Sequence, residues 1–149
     1  MSPEPLFTLG VEVAQPHTIG AAPGGESRVV AFTSGEFEGP GLRGTLLPGG
    51  SDWQRVHGDG TLEIRAHYML QSDRGETVEV LSEGLRTAAP DVLARLAAGE
   101  AVPPDQYYFR TFIRMTTSAP RLLHFNRRLY YGVGEREAKR VRIRVYPLP

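Results

Sequence analysis

The feature that most limits how this chain can fold is the alternation of apolar and polar side chains from Thr61 to Ser72. Every second side chain from Leu62 to Leu70 is apolar or aromatic, and those between them are mostly polar or charged. Because successive side chains of a β-strand point to opposite faces, this pattern predicts a long strand with one buried face. Asp59-Gly60 before it and Asp73-Arg74-Gly75 after it are turn signals, and the second predicts a hairpin with Glu76 to Arg86.

Short apolar segments predict further strands along the whole chain. The 17 glycines and 12 prolines are spread through the sequence and mark no linker. One helix is predicted to begin at Pro90 and end at Gly99, and a shorter helical turn at Pro120 to Phe125. The remaining predicted strands are Phe7 to Val13, Arg28 to Phe37, Leu42 to Leu47, Trp53 to His57, Tyr107 to Met115, Arg128 to Val133 and Arg140 to Tyr146.

This order of elements predicts an all-β, mainly antiparallel fold and not an alternating α/β fold. Nothing divides the chain, so residues 1–149 are expected to form a single domain. We expect a closed or nearly closed β-barrel of about eight to nine strands with one short helix and a central cavity. A sandwich is the alternative, but the length of the strand from Thr61 to Ser72 favours the tilt and closure of a barrel.

The amino-acid composition argues against several kinds of functional site and binding partner. The chain has no cysteine, which excludes disulfides, thiolate zinc sites and cysteine nucleophiles. Its four histidines have no metal-ligand spacing, so no metal site is expected. The formal net charge is zero and no apolar segment approaches the ~20 residues of a membrane span. We therefore expect a cytoplasmic protein without a nucleic-acid or membrane partner.

A glycine turn followed by an acid and the only tryptophan forms the first candidate site. In the segment LLPGGSDWQ, Asp52 and Trp53 stand at the start of a strand. A tryptophan there can cap the mouth of a barrel, and a desolvated Asp52 would be a candidate general acid or base. The alternative is that Asp52 accepts hydrogen bonds from the amides of the turn and Trp53 belongs to the core.

A long aromatic strand forms the second candidate site, although alternation alone does not decide which face points inward. One face carries Tyr108, Arg110 and Phe112, and the other carries Tyr107 and Phe109. We expect the first face inside, because Arg110 would meet an anionic ligand group such as a carboxylate or an enolate. The opposite choice leaves the cavity without this cation and puts Tyr108 and Arg110 at a subunit interface or on the surface.

Several segments in order resemble a known family. They are EPLFTLGVEV, GEFEGPGLRGTLLPGGSDWQ, the dipeptide Asp59-Gly60, AHYML, YYFRT, and HFN leading to YYGVG. Over nearly the whole chain they are similar to the domain of unknown function 3237 family, also catalogued as uncharacterised protein family 0311. The resemblance implies a compact β-barrel with a central cavity, often oligomeric, and a function that is not established. Matching motifs carry over Glu36, Asp52, Trp53, Tyr68, Tyr108, Arg110 and Asn126 as positions of interest.

The candidate site combines the residues and the resemblance. His124 is added as a general base or hydrogen-bond donor, with a structural histidine as the alternative. The candidate catalytic groups are Asp52, Arg110, Tyr108 and Glu36, and the candidate substrate-binding groups are Trp53, Tyr68, Phe112, His124 and Asn126.

Three functions fit these features. The first is a cofactor-independent isomerase, cyclase or lyase acting on a polyketide-like or aromatic metabolite. Asp52 or Glu36 would move a proton, and Arg110 with Tyr108 would stabilise an oxyanion in a water-excluded pocket. The alternatives are a non-catalytic barrel that binds or carries a small ligand, and an interaction module with a filled interior. A small organic ligand and a homo-oligomer, dimer or higher, are expected. An acidic side chain in the cavity beside Arg110 would favour the enzyme.

Overall fold

The chain folds into ten strands, one α-helix and two 3₁₀ segments in the computed structural model, which describes residues 3–149. The α-helix, α1, is Pro90–Ala97, and the 3₁₀ segments are Pro104–Gln106 and Pro120–Arg127. The strands are β1 (Phe7–Val13), β2 (His17–Ala22), β3 (Gly25–Gly39), β4 (Leu42–Leu46), β5 (Ser51–Val56), β6 (Leu62–Ser72), β7 (Thr77–Ala88), β8 (Tyr107–Thr116), β9 (Tyr130–Glu137) and β10 (Arg140–Pro147).

The sheet closes into a barrel because β1 pairs with strands on both sides. It is antiparallel to β10 on one side and to β3 on the other. From β10, antiparallel pairing continues through β9, β8 and β7 to β6. Strands β4 and β5 share the position between β6 and β3, since each pairs with a different part of both. Strand β2 pairs with β3 alongside β1. The result is a closed antiparallel barrel of eight positions with two extra strands, which confirms the predicted all-β barrel.

One end of the barrel is filled with aromatic and apolar side chains. The rings of Phe7 and Phe37 meet edge to face with centroids 5.4 Å apart. The 3₁₀ segment Pro120–Arg127 adds Phe125, whose ring lies 5.8 Å from that of Tyr130. All four rings are almost completely buried. This packing closes the end at which β1 and β9 begin, so a cavity can open only towards the other end.

The predicted helix and the long alternating strand are confirmed. Strand β6 buries alternate residues along its length, and α1 begins at Pro90 and buries Val92 and Leu96. Among the described residues, every helix falls short of the length and apolarity needed to cross a bilayer. Strand β2 was not predicted, because it is exposed along most of its length and has no apolar face to signal it.

Gly84 is predicted to be required for the close approach of β7 and β8. A Cβ at this position would overlap the carbonyl oxygen of Arg110 and lie 2.6 Å from the Cα of Thr111. Both are backbone atoms of the paired strand, so the strand itself must move. We expect Gly84→Ala to lower the free energy of unfolding by about 1–3 kcal/mol, measured by denaturant titration.

Gly58→Ala is the matched control for this substitution. A Cβ added at Gly58 would meet no atom within 4 Å apart from its chain neighbours, and the φ of Gly58 is not positive. The free energy of unfolding should therefore change by less than ~0.5 kcal/mol. Equal losses of stability in the two variants would show that the barrel does not depend on the close approach at Gly84.

Candidate functional site

The barrel contains a cavity of about 360 Å³. This volume lies within the range of pockets that bind small organic molecules. Apolar side chains from β1, β6 and β10 form much of its wall, among them Leu9, Ile64 and Ile143. The polar and charged side chains that line it are Gln15, Arg28, Asp52, Gln54, Tyr68, Ser82, Arg86, Thr111, Arg136 and Lys139.

Asp52 points into the cavity and is held there by hydrogen bonds. It is 8% exposed, whereas its neighbour Trp53 faces outward on β5. The backbone amide of Arg65 donates to Oδ1 at 2.9 Å, and Nε2 of Gln54 donates to Oδ2 at 2.7 Å. Nε of Arg28 in turn donates to Oε1 of Gln54 at 2.7 Å. The carboxylate therefore has one fixed orientation.

Burial makes this carboxylate a stronger base than a surface aspartate. Desolvation raises the pKa of Asp52, and the hydrogen bonds from Gln54 and the Arg65 amide oppose that rise. The positive charges of Arg28 and Arg86 oppose it more weakly. A carboxylate whose pKa is raised in this way is suited to accept a proton from a bound molecule.

Tyr68 lies in the same cavity and supplies a neutral hydrogen-bond donor. Its ring packs edge to face on Phe32 with centroids 5.6 Å apart. Burial, and then the charge of Asp52, raise the pKa of Tyr68 above its usual value. Its hydroxyl therefore stays protonated at neutral pH. The structure brings together Asp52 and Tyr68, two of the candidate residues taken from the sequence.

Three arginines, together with Lys139, supply the positive charge of the cavity. Arg28 comes from β3, Arg86 from β7 and Arg136 from β9. Desolvation lowers the pKa of Arg86 to about 10, and the nearby charges of Arg136 and Arg28 act in the same direction. Desolvation, followed by the charge of Arg28, also lowers the pKa of Arg136. Arg86 and Arg136 are thus desolvated, and the three guanidinium groups lie close enough to repel one another.

The Nε atoms of two of these arginines are buried without a partner. Among the described residues, Nε of Arg86 and Nε of Arg136 have no hydrogen-bond acceptor. The buried hydroxyl of Thr111 also has no hydrogen-bond partner there. Buried donors without acceptors are uncommon and costly in a folded protein. No cluster of three or more histidine, aspartate or glutamate side chains in residues 3–149 could hold a metal ion.

The prediction that Tyr108, Arg110 and Phe112 face the cavity is wrong. Tyr108 is 53% exposed and Phe112 is 72% exposed on the outside of β8. The guanidinium of Arg110 lies 5.3 Å from the centre of the Tyr108 ring, and its Nη1 donates to the carbonyl oxygen of Phe109 at 2.9 Å. These groups therefore interact with each other on the surface and not with a ligand in the barrel.

The physical reason is that the opposite face of β8 fits the interior. Tyr107, Phe109 and Thr111 are buried there. The hydroxyl of Tyr107 accepts a hydrogen bond from the backbone amide of Arg136 at 2.8 Å, so its polar atom is satisfied inside the barrel. Turning the strand over would bury the charge of Arg110 instead, at a larger cost.

Trp53 and Glu36 also lie on the outside. Trp53 is 52% exposed on β5, so it does not cap the mouth of the barrel. Glu36 forms an ion pair with Arg140 on the outer face of β3, next to the buried Phe37. Of the two candidate acids, only Asp52 lines the cavity.

His124 and Asn126 belong to the 3₁₀ segment at the filled end of the barrel. His124 is exposed and packs against Phe125, with ring centroids 4.8 Å apart. Asn126 accepts a hydrogen bond from the Thr117 amide and donates one to the Thr117 carbonyl, both at 2.8 Å. Neither residue lines the cavity, and Asn126 instead stabilises the loop that follows β8.

The sequence interpretation missed the arginines that do line the cavity. Arg86 has the same parity as Val78 and Val80 on β7, so alternation alone could have placed it inside. Gln54 lies two residues after Asp52 on β5, so the same alternation places both side chains on one face of the strand. Arg136 gave no such signal, because the predicted strand ended at Val133 whereas β9 continues to Glu137.

Comparison with known proteins agrees with this barrel. The model of the family described as "Protein of unknown function (DUF3237)" matches residues 1–148. A UPF0311 protein of Rhodopseudomonas palustris is 32% identical over 141 residues, covering 95% of this chain and 92% of that protein. The crystal structure of a conserved protein of unknown function from the same species is 31% identical, with a TM-score of 0.93 over 97% of this chain and 95% of that chain.

A more distant structure shares the fold. It is described as an enzyme from Penicillium herquei, is 18% identical and has a TM-score of 0.68, covering 98% of each chain. At this identity the match supports the architecture alone.

The pKa values of Asp52 and Asp59 are predicted to be shifted in opposite directions from the ordinary value. A ¹³C NMR titration of the carboxyl groups should place the midpoint of Asp52 above the ordinary value of about 3.9. Asp59 should titrate below it, because its Oδ1 accepts the Thr61 amide at 2.9 Å in an exposed turn. The two residues are distinguished by the signal lost in Asp52→Asn.

The raised pKa of Asp52 also sets a pH dependence of stability. Because its folded-state pKa is above its unfolded-state pKa, its stabilising contribution is fully present below the unfolded-state value. That contribution is lost as the pH rises through the folded-state pKa. An Asp52 midpoint at or below that of Asp59 would contradict the desolvated carboxylate described here.

Proposed function

The chain belongs to the DUF3237 family of proteins of unknown function, and we propose that this member is a cofactor-independent enzyme that moves a proton on a small molecule bound inside the barrel. The reactions that suit such a site are isomerisation, cyclisation or elimination of a polyketide-like or aromatic metabolite. The observation that carries the proposal is a buried, oriented carboxylate, Asp52, in one cavity with several guanidinium groups.

Asp52 is the proposed proton acceptor. Both of its oxygens already accept hydrogen bonds from Gln54 and the Arg65 amide, and a carboxylate oxygen has a further lone pair for a substrate proton. Because the group is held in place before the ligand arrives, little reorganisation is needed when the proton moves.

Arginine takes the role that the sequence interpretation gave to Arg110. When a proton leaves a carbon next to a carbonyl group, negative charge develops on the carbonyl oxygen. Arg86 and Arg136 line the cavity, each with a buried Nε that has no acceptor among the described residues, and Tyr68 keeps its hydroxyl proton. In a desolvated site such donors stabilise an oxyanion more strongly than water does.

The shape of the cavity favours a compact and largely apolar molecule. Apolar side chains make up much of the wall, and the aromatic end of the barrel is closed. A ligand that fills this space displaces water from Asp52, which strengthens every electrostatic interaction there. A related barrel of the same architecture is described as an enzyme.

The second candidate is a barrel that binds or carries a ligand without changing it. The apolar wall favours this function as much as the first. Asp52 separates the two, because a carrier gains nothing from a desolvated carboxylate and still bears the cost of burying it.

A surrogate proton-transfer reaction tests the role of Asp52 without the natural substrate. In 5-nitrobenzisoxazole, removal of the C3 proton by a base breaks the ring N–O bond, forms a nitrile and releases a coloured phenolate. We expect the protein to accelerate this reaction, and Asp52→Asn to lower the accelerated rate by on the order of 10²-fold. The rate should rise with pH through the pKa of Asp52 and then level off.

Glu36→Gln is the matched control, because Glu36 is the other candidate acid and lies outside the barrel. Its rate should equal that of the unmodified protein. If Asp52→Asn keeps the full rate, Asp52 is not a base in the cavity. Bound 5-nitrobenzisoxazole with no acceleration would favour the carrier.

A further inference from the structure

We propose that the natural ligand is an organic anion, and that Arg86 and Arg136 bind its negatively charged oxygens at the open end of the cavity. A carboxylate or an ionised phenol or enol on an aromatic or polyketide-like body has this chemistry. The inference rests on the proposed function, since it specifies the class of molecule that occupies the same cavity.

The charge of the cavity is unbalanced. Arg28, Arg86, Arg136 and Lys139 line it, and Asp52 is the one acidic side chain among the lining residues. Both oxygens of that carboxylate already accept hydrogen bonds from Gln54 and a backbone amide. A bound organic anion would supply the negative charge that the side chains lining the cavity lack.

Several arginines of the outer surface are paired with glutamates. Nη1 of Arg144 lies 2.6 Å from Glu135, Nη2 of Arg142 lies 3.0 Å from Glu137, and Nη2 of Arg121 lies 2.7 Å from Glu76. These cations have acidic partners although water could also accept hydrogen bonds from them at the surface. The buried Nε atoms of Arg86 and Arg136, in contrast, have no acceptor among the described residues.

Arginine is well suited to the proposed ligand group. A guanidinium presents its N–H donors in a plane, which matches the two oxygens of a carboxylate. Arg86 and Arg136 line the cavity, so an oxyanion bound there would place a hydrogen-bond acceptor beside their guanidinium groups. Its negative charge would also oppose the lowering of the pKa of both groups, which desolvation causes first and repulsion from the neighbouring arginines second.

The strand register places the anion and Asp52 at different depths. Arg86 lies opposite Leu62 at the start of β6, and Asp52 lies opposite Ala66, four residues further along the same strand. Arg28 lies opposite Gln54, which is two residues closer than Asp52 to the open end of the barrel. A ligand whose anionic group meets the arginines therefore extends inward past Asp52 towards Tyr68.

Two dyes that differ by one anionic group test the inference. 8-Anilinonaphthalene-1-sulfonate carries a sulfonate, whereas N-phenyl-1-naphthylamine has the same rings without it. Fluorescence titrations should show tighter binding of the sulfonate to the unmodified protein. Arg86→Gln and Arg136→Gln should each weaken its binding by about tenfold, since a hydrogen bond to a charged group is lost. Binding of the neutral dye should change by less than about twofold.

Arg110→Gln is the matched control, because it removes the same charge from the outside of the barrel and should leave both affinities unchanged. Circular dichroism should show that each variant is folded. Arg86→Lys keeps the charge and should recover part of the sulfonate affinity, which separates charge from packing.

The outcomes separate the two proposals. If the neutral dye binds but the sulfonate shows no dependence on Arg86 or Arg136, the anion inference is overturned and the binding cavity stands. If substitution weakens both dyes equally, the arginines support the fold and not the anion, and the inference again fails. If neither dye binds, the proposed function fails together with the inference.

Discussion

Pairing of β1 with both β3 and β10 is the constraint on which the structure depends, because it closes the sheet and creates an inside. Once the sheet is closed, alternate residues of every strand must point either into the barrel or away from it. Aromatic rings fill one end of this interior, and the remaining space is the cavity. The site follows from closure, since side chains distant in sequence, such as Arg28, Asp52 and Arg136, share one enclosed volume.

That volume holds charged groups that an ordinary core would exclude. Asp52 is stabilised by a chain of hydrogen bonds through Gln54 to Arg28, but Arg86 and Arg136 keep buried Nε atoms without acceptors. Burying unpaired charge in this way opposes folding. We propose that binding of an anionic molecule offsets this cost, because the unbalanced cations line the cavity whereas several surface arginines are paired with glutamates.

The sequence predicted the barrel and part of the site for identifiable physical reasons. Clean alternation on β6 placed Tyr68 inside, and the glycine turn drew attention to Asp52, which lines the cavity. The orientation of β8 was wrong because both of its faces are aromatic, and the deciding contact, from the Arg136 amide to the Tyr107 hydroxyl, joins distant segments. The cavity arginines were missed for a related reason, since their meeting depends on closure and not on spacing along the chain.

We propose that the barrel holds a small organic anion in contact with Arg86 and Arg136. The most direct measurement is native mass spectrometry of the purified protein, followed by identification of the molecules released when it unfolds. The expected result is a copurified organic acid that is present with the unmodified protein and strongly depleted from Arg86→Gln. Recovery of only neutral compounds, in equal amounts from both proteins, would contradict the claim.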